Sequence, residues 1–69
     1  MKSINFYNGD KYVGDILNNR KHGRGIYYYA DGGRYEGDWA ADKTHGKGVY
    51  YLPDGRVQRG IWQNGEFKG

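Results

Sequence analysis

Apolar and polar residues alternate along this chain in short runs of four to six, such as Tyr12-Val13-Gly14-Asp15-Ile16, Ile26–Tyr29, Tyr35–Trp39 and Val49–Leu52. Period-two alternation in β-branched and aromatic residues reads as strand, and no stretch has the three-to-four spacing of an amphipathic helix. Asn8-Gly9, Asp31-Gly32 and Asp54-Gly55 fall between the runs as two-residue hairpin signals, because a type I′ turn needs positive φ at both central residues. The other connections, Leu17–His22 and Ala40–His45, read as longer loops; Asn19, Asp42 and Gly65 share one position there and tolerate the left-handed conformation. The pattern predicts strand, longer loop, strand, tight turn, repeated along a meandering antiparallel sheet of about five or six strands.

The same pattern repeats in the residues themselves. Gly9–Asp31 laid over Gly32–Asp54 is identical at 10 of 23 positions, and 11 of the 13 glycines fall on four repeat positions. The chain divides into an N-terminal half-unit (1–8), repeat one (9–31), repeat two (32–54) and a partial C-terminal repeat (55–69). Self-similarity at this period marks an array whose units bury their apolar surface against their neighbours.

Tyr35-Glu36-Gly37-Asp38-Trp39, then His45-Gly46-Lys47-Gly48, Tyr50 and Asp54-Gly55 closely resemble the MORN (membrane occupation and recognition nexus) repeat. Repeat one keeps the pattern except for Ile16 in place of the usual Trp. The partial repeat keeps Gly60 and Trp62 but has Gln58 for the Tyr and Lys68 for the His, departures that suit a terminal cap. The resemblance implies an all-β, single-layer, elongated twisted sheet of consecutive hairpins. It also implies a role as an appended module for protein interaction, scaffolding or, as the family's name suggests, membrane contact.

Alternation assigns two faces. Face one collects Ile4, Phe6, Tyr12, Ile16, Tyr27, Tyr29, Tyr35, Trp39, Tyr50, Leu52 and Trp62 among Gly14, Gly25, Gly37, Gly48 and Gly60. Rings lying over glycine backbone can form the core of a one-layer protein. Face two is mixed, and Ile26, Tyr28, Val49 and Tyr51 recur on it as an apolar stripe. A single sheet without a covering layer leaves apolar area exposed, and such patches mark interactions. The candidate partner or assembly surface therefore comprises Tyr28, Tyr51, Ile26 and Val49 on face two, with Tyr27, Tyr35, Trp39, Tyr50 and Trp62 on face one. A polypeptide partner, or a second copy in a homodimer, is expected there, and the terminal strands are expected to be open edges.

Composition narrows the classes. A chain of 69 residues holds one small domain and buries only about 60% of its unfolded surface, which leaves it marginally stable. There are no cysteines, so disulfides and thiolate metal sites are excluded. Eight tyrosines and two tryptophans set the chain apart from disordered sequences of similar charge. No apolar run reaches signal-peptide or membrane-span length, and a cytoplasmic place, at most peripheral to a membrane or the cytoskeleton, is expected.

Nothing in the sequence supports catalysis, a cofactor or a metal. His22 and His45 repeat in step with the structural period, which favours a backbone-bonding role, and they are expected two strands apart. Asp15, Glu36 and Asp38 project from a flat face. The Gly23-x-Gly25 and Gly46-x-Gly48 pairs lead into strands and offer no helix N-terminus to an anion. The net charge of +3 includes a row expected along the longer loops, Arg20, Lys21, Arg24, Lys43 and Lys47, which could meet anionic lipids. Nucleic acid is not expected, since no recognised motif or strongly basic stripe is present.

Overall fold

A computed structural model describes residues 2–69 as one open antiparallel sheet. Its strands run in chain order: β1 (Lys2–Asn5), β2 (Lys11–Leu17), β3 (Arg20–Tyr28), β4 (Arg34–Ala40), β5 (Lys43–Tyr51), β6 (Val57–Gln63) and β7 (Glu66–Phe67). Seven strands form, against the five or six expected, because β1 and the two-residue β7 each add a short outer strand.

The two kinds of turn are the reverse of the sequence expectation. Two-residue hairpins form at Asn18-Asn19 (φ 52° and 64°), Ala41-Asp42 (50° and 71°) and Asn64-Gly65 (51° and 86°), where both central residues are left-handed, as a type I′ turn requires. The Asp-Gly sites instead close three-residue loops. In the first, the Gly9 amide donates to the Phe6 carbonyl at 3.1 Å, and the Phe6 amide donates to Asp10 at 2.9 Å. The Asn8 side chain accepts from the Asp10 amide at 3.0 Å, and Asp31 and Asp54 do the same for Gly33 and Arg56. An acceptor side chain two residues before an amide selects an Asx turn, so only the following glycine takes a positive φ. The supposed long loops are correspondingly short, and Arg20, Lys21, Arg24, Lys43 and Lys47 lie within β3 and β5.

Those strands each carry a bulge. His22-Gly23-Arg24 stand opposite Asp15 alone, and the register of the β4–β5 pair shifts likewise between Gly37 and Trp39. Gly23 and Gly46 supply the positive φ, at 66° and 77°. The Asp15 and Asp38 carboxylates accept from the Arg24 and Lys47 amides at 3.4 and 3.3 Å. The His-Gly pairs are thus bulge elements inside strands.

Register aligns Gly14, Gly25, Gly37, Gly48 and Gly60 in one row across β2 to β6. The rings of Tyr12 and Tyr35 occupy the space above it: a Cβ on Gly25 or Gly48 would run into Tyr12 or Tyr35. Face one is the core, as alternation indicated. Tyr12, Tyr35, Trp39 and Trp62 are buried, with Ile4, Phe6, Ile16, Tyr27, Tyr29 and Tyr50 packed against them. The polar tip of each of the four buried rings has a partner. The Tyr12 and Tyr35 hydroxyls donate to the Asp15 and Asp38 carbonyls at 2.8 and 3.1 Å. The Trp39 and Trp62 indoles donate to the Gly25 and Gly48 carbonyls, both at 3.1 Å. Aromatic rings supply this core because they carry large apolar area with a satisfiable polar end.

Candidate interaction surface

The sequence-expected residues divide between core and surface. Tyr35, Trp39 and Trp62 are 1%, 6% and 7% exposed, so they hold the sheet together and offer little to a partner. Tyr27 and Tyr50 are half-buried at the rim of the same cluster. Burial pushes the Tyr35 hydroxyl up to about 12, and raises Tyr12 by the same cause. Tyr27 is raised as well, first by burial and then by the hydrogen bond it donates to Asp10 at 2.7 Å.

On face two, Ile26 and Val49 lie on alternate strands with Glu36 of β4 between them, and Tyr28 and Tyr51 are likewise separated by Arg34. The stripe read from the sequence is therefore broken by charge. The Arg34 guanidinium stacks on the Tyr51 ring at 3.9 Å and approaches Glu36 at 4.0 Å. Tyr28 remains exposed.

Two shallow grooves on face two have no counterpart in the side-chain pattern. One, of about 330 Å³, is lined by Val13, Ile26, Arg24 and Glu36 with Gly14, Gly25 and Gly37. A second, of about 240 Å³, is lined by Val49, Ile61, Lys47 and Arg59 with Gly48 and Gly60. They stand one repeat apart, because Arg24, Gly25 and Ile26 correspond to Lys47, Gly48 and Val49. The glycines serve both faces: they admit the tyrosine rings on face one and form part of the groove walls on face two. Ile61, at the rim of the second groove, is exposed.

The basic residues do not act as one row. Lys21 folds inward, its side chain only 17% exposed, and Arg24 pairs with Asp38 at 3.3 Å. Arg20, Lys43 and Lys47 are exposed. A hollow at the two-residue-turn end is lined by Leu17, Asn18, Arg20, His22 and Ala41. His22 and His45 are exposed on β3 and β5, with β4 between them. Among the described residues, no group of three His, Asp or Glu side chains could hold a metal ion, and no helix is long and apolar enough to cross a membrane.

The family model of the MORN repeat matches residues 12–34 and 35–55. Each match begins three residues inside a unit counted from Gly9 or Gly32, so the period is shared and only the phase differs. No curated protein matches the chain.

Proposed function

The chain belongs to the MORN repeat family, and we propose that it is a non-catalytic interaction module whose face-two grooves take an extended polypeptide. The observation that carries this reading is the asymmetry of the faces. Face one is closed by the chain's own rings, whereas face two presents two grooves one repeat apart, walled by Val13, Ile26, Val49 and Ile61. Side chains spaced at the sheet's own period fit such a surface, and flanking Arg24, Glu36, Lys47 and Arg59 would set register and charge preference. The partner is a segment of another protein or of a second copy.

Selection from a random peptide display library on the immobilised chain, beside an Ile26→Lys/Val49→Lys variant, tests this. The wild type should enrich peptides with spaced apolar residues, and the folded variant should lose them. Enrichment that survives in the variant would sink the groove reading.

A second reading has one specific observation behind it. Leu17 is 52% exposed beside Arg20 at the turn end, where Lys43 also lies, so an apolar tip accompanies basic residues as at a lipid headgroup layer. Binding to phosphatidylserine vesicles that collapses at high salt, and in Arg20→Gln/Lys43→Gln, would favour membrane contact over peptide docking.

A further inference from the structure

Counted on the repeat, β1 is the later part of a strand and β7 the earlier part. Lys2, Ser3, Ile4 and Asn5 correspond to Gly25, Ile26, Tyr27 and Tyr28 of β3, and Glu66 and Phe67 correspond to Arg20 and Lys21 at its start. β3 and β5 each have a neighbour on both sides. β1 pairs with β2 alone, and β7 covers only Trp62 and Gln63 of β6. Among the described residues, nothing pairs with the outer edge of β6 over Val57–Gly60. Free edges of this kind are templates for another strand.

The two edges fit one another in the register the sheet already uses. Gly14–Gly25 through Lys11–Tyr28, and Gly37–Gly48 through Arg34–Tyr51, would set Gly60, Arg59, Gln58 and Val57 opposite Lys2, Ser3, Ile4 and Asn5 of a second copy. The hydrogen-bonding sense agrees. The Phe6 amide donates to Asp10 and the Leu52 amide to Arg56. Alternation from there turns Ser3 and Asn5 away from β2, and Val57 and Arg59 away from β5.

Two departures from the repeat also match across this junction. The Tyr12 and Tyr35 rings lie over Gly25 and Gly48, where a Cβ has no room. Here the ring position holds Gln58 and the glycine position holds Lys2, so the missing ring leaves space for the added side chain. Leu52 and Phe67 of one copy, with Ile4 and Ile16 of the next, take the places of Tyr29, Thr44, Tyr50 and Trp62 around Tyr35. In the single chain Phe67 is 37% exposed.

We propose that copies of this chain add head to tail, with β1 of one copy laid on the outer edge of β6 of another, beside β7. The contact joins two different surfaces, so it leaves a free edge at each end and continues into an open array. It spans four residue pairs, and Gly69, which lies against Gly60, must move aside, so each junction is weak. The contact uses strand edges and does not depend on peptide docking in the grooves.

Sedimentation of the chain from micromolar to millimolar concentration should show a mean mass that climbs past the dimer without a plateau. Ser3→Pro and Arg59→Pro each remove one outward N–H and no bond to β2 or β5. Each alone should stay monomeric, and their equimolar mixture should stop at one heterodimer, because the first keeps a working β6 edge and the second a working β1. Gln58→Tyr should weaken association at least about tenfold by covering the place of Lys2, and Lys2→Gly in the same chain should restore it. Both of these substitutions install the repeat's own residues, so they decide the matter if a proline variant does not fold. A chain that stays monomeric, a wild type that stops at the dimer, or assembly unchanged by Gln58→Tyr would overturn the proposal.

Discussion

Two aromatic clusters one 23-residue period apart, around Tyr12 and around Tyr35, have corresponding rings in different surroundings. Asp10, Lys21 and Asp42 by the first become Gly33, Thr44 and Gly65 by the second. In the first, Asp10 accepts from the Tyr27 hydroxyl and the Ala30 amide, both at 2.7 Å, and Asp42 accepts from the Lys21 amide at 2.7 Å. In the second, none of these side-chain partners exists; the ring centroids keep nearly the same separations, but the planes turn, from 27° for Phe6–Tyr27 to 67° for Tyr29–Tyr50 and from 41° for Tyr27–Trp39 to 81° for Tyr50–Trp62. Register and the glycine row therefore set where the rings stand, and ring orientation changes together with the charged partners. A repeat protein can keep a core position by position while changing what the core presents.

The largest effects should come from the rings that both repeats share. Tyr35 meets two tryptophans edge-on, Trp39 at 5.2 Å and Trp62 at 5.3 Å, whereas Tyr12 meets only Trp39, at 5.6 Å. Tyr35→Ala should cost about 3–5 kcal/mol in denaturant melts, and Tyr12→Ala less within the same range. In a domain of this size such a loss approaches the whole stability. Equal costs would mean that the two clusters do not share Trp39 as a joint.

Alkaline and acid limbs should separate the clusters by charge. Tyr35 is raised to about 12 by burial, so the folded state keeps a proton that the unfolded chain loses near 10. Stability should hold below about pH 10 and fall above it, by about 1.4 kcal/mol per pH unit for one such tyrosine, until about pH 12. On the acid side Asp10 and Asp42, both by the Tyr12 cluster, contribute. Hydrogen bonds from Tyr27 and the Ala30 amide hold Asp10 below the usual carboxylate value, and the Lys21 amide does so for Asp42. Their contribution is present above the unfolded value and is lost as pH falls below it. Asp10→Asn should flatten the acid limb and leave the alkaline limb in place.

Smaller effects test the shared backbone. Gly25→Ala and Gly48→Ala should each cost about 1–3 kcal/mol, because each methyl group meets a buried tyrosine ring. Smallest is the turn. Ala41 sits at φ 50° where repeat one has Asn18, so Ala41→Gly should stabilise the chain by about 1 kcal/mol, and Asn18→Gly should change little.

Much of this was legible in the residues. The two faces and the glycines among the rings of face one follow from alternation and period, but Tyr35, Trp39 and Trp62, which the same pattern offers to a partner, are buried. The turns did not, because Asp-Gly fits both a type I′ hairpin and an Asx turn, and the choice depends on which amide the carboxylate reaches. Ala41 gave no warning of a left-handed residue. Lys21 was hidden for the same reason: in a loop it reads as a surface charge, whereas β3 starts at Arg20 and pairing with Ile16 puts Lys21 on face one. The available signal was the repeat itself, since Lys21, Thr44 and Phe67 occupy one position on a face made mostly of apolar residues and glycine. The grooves depend on backbone exposed beside glycines, which no side-chain pattern records.

The division between a closed face and a working face is tested most directly by amide and indole chemical shifts of the chain, with and without a peptide from the display selection. Changes should gather at Val13, Ile26, Val49 and Ile61, with the Trp39 and Trp62 indoles unmoved. Changes concentrated at the indoles, with those four residues silent, would contradict it.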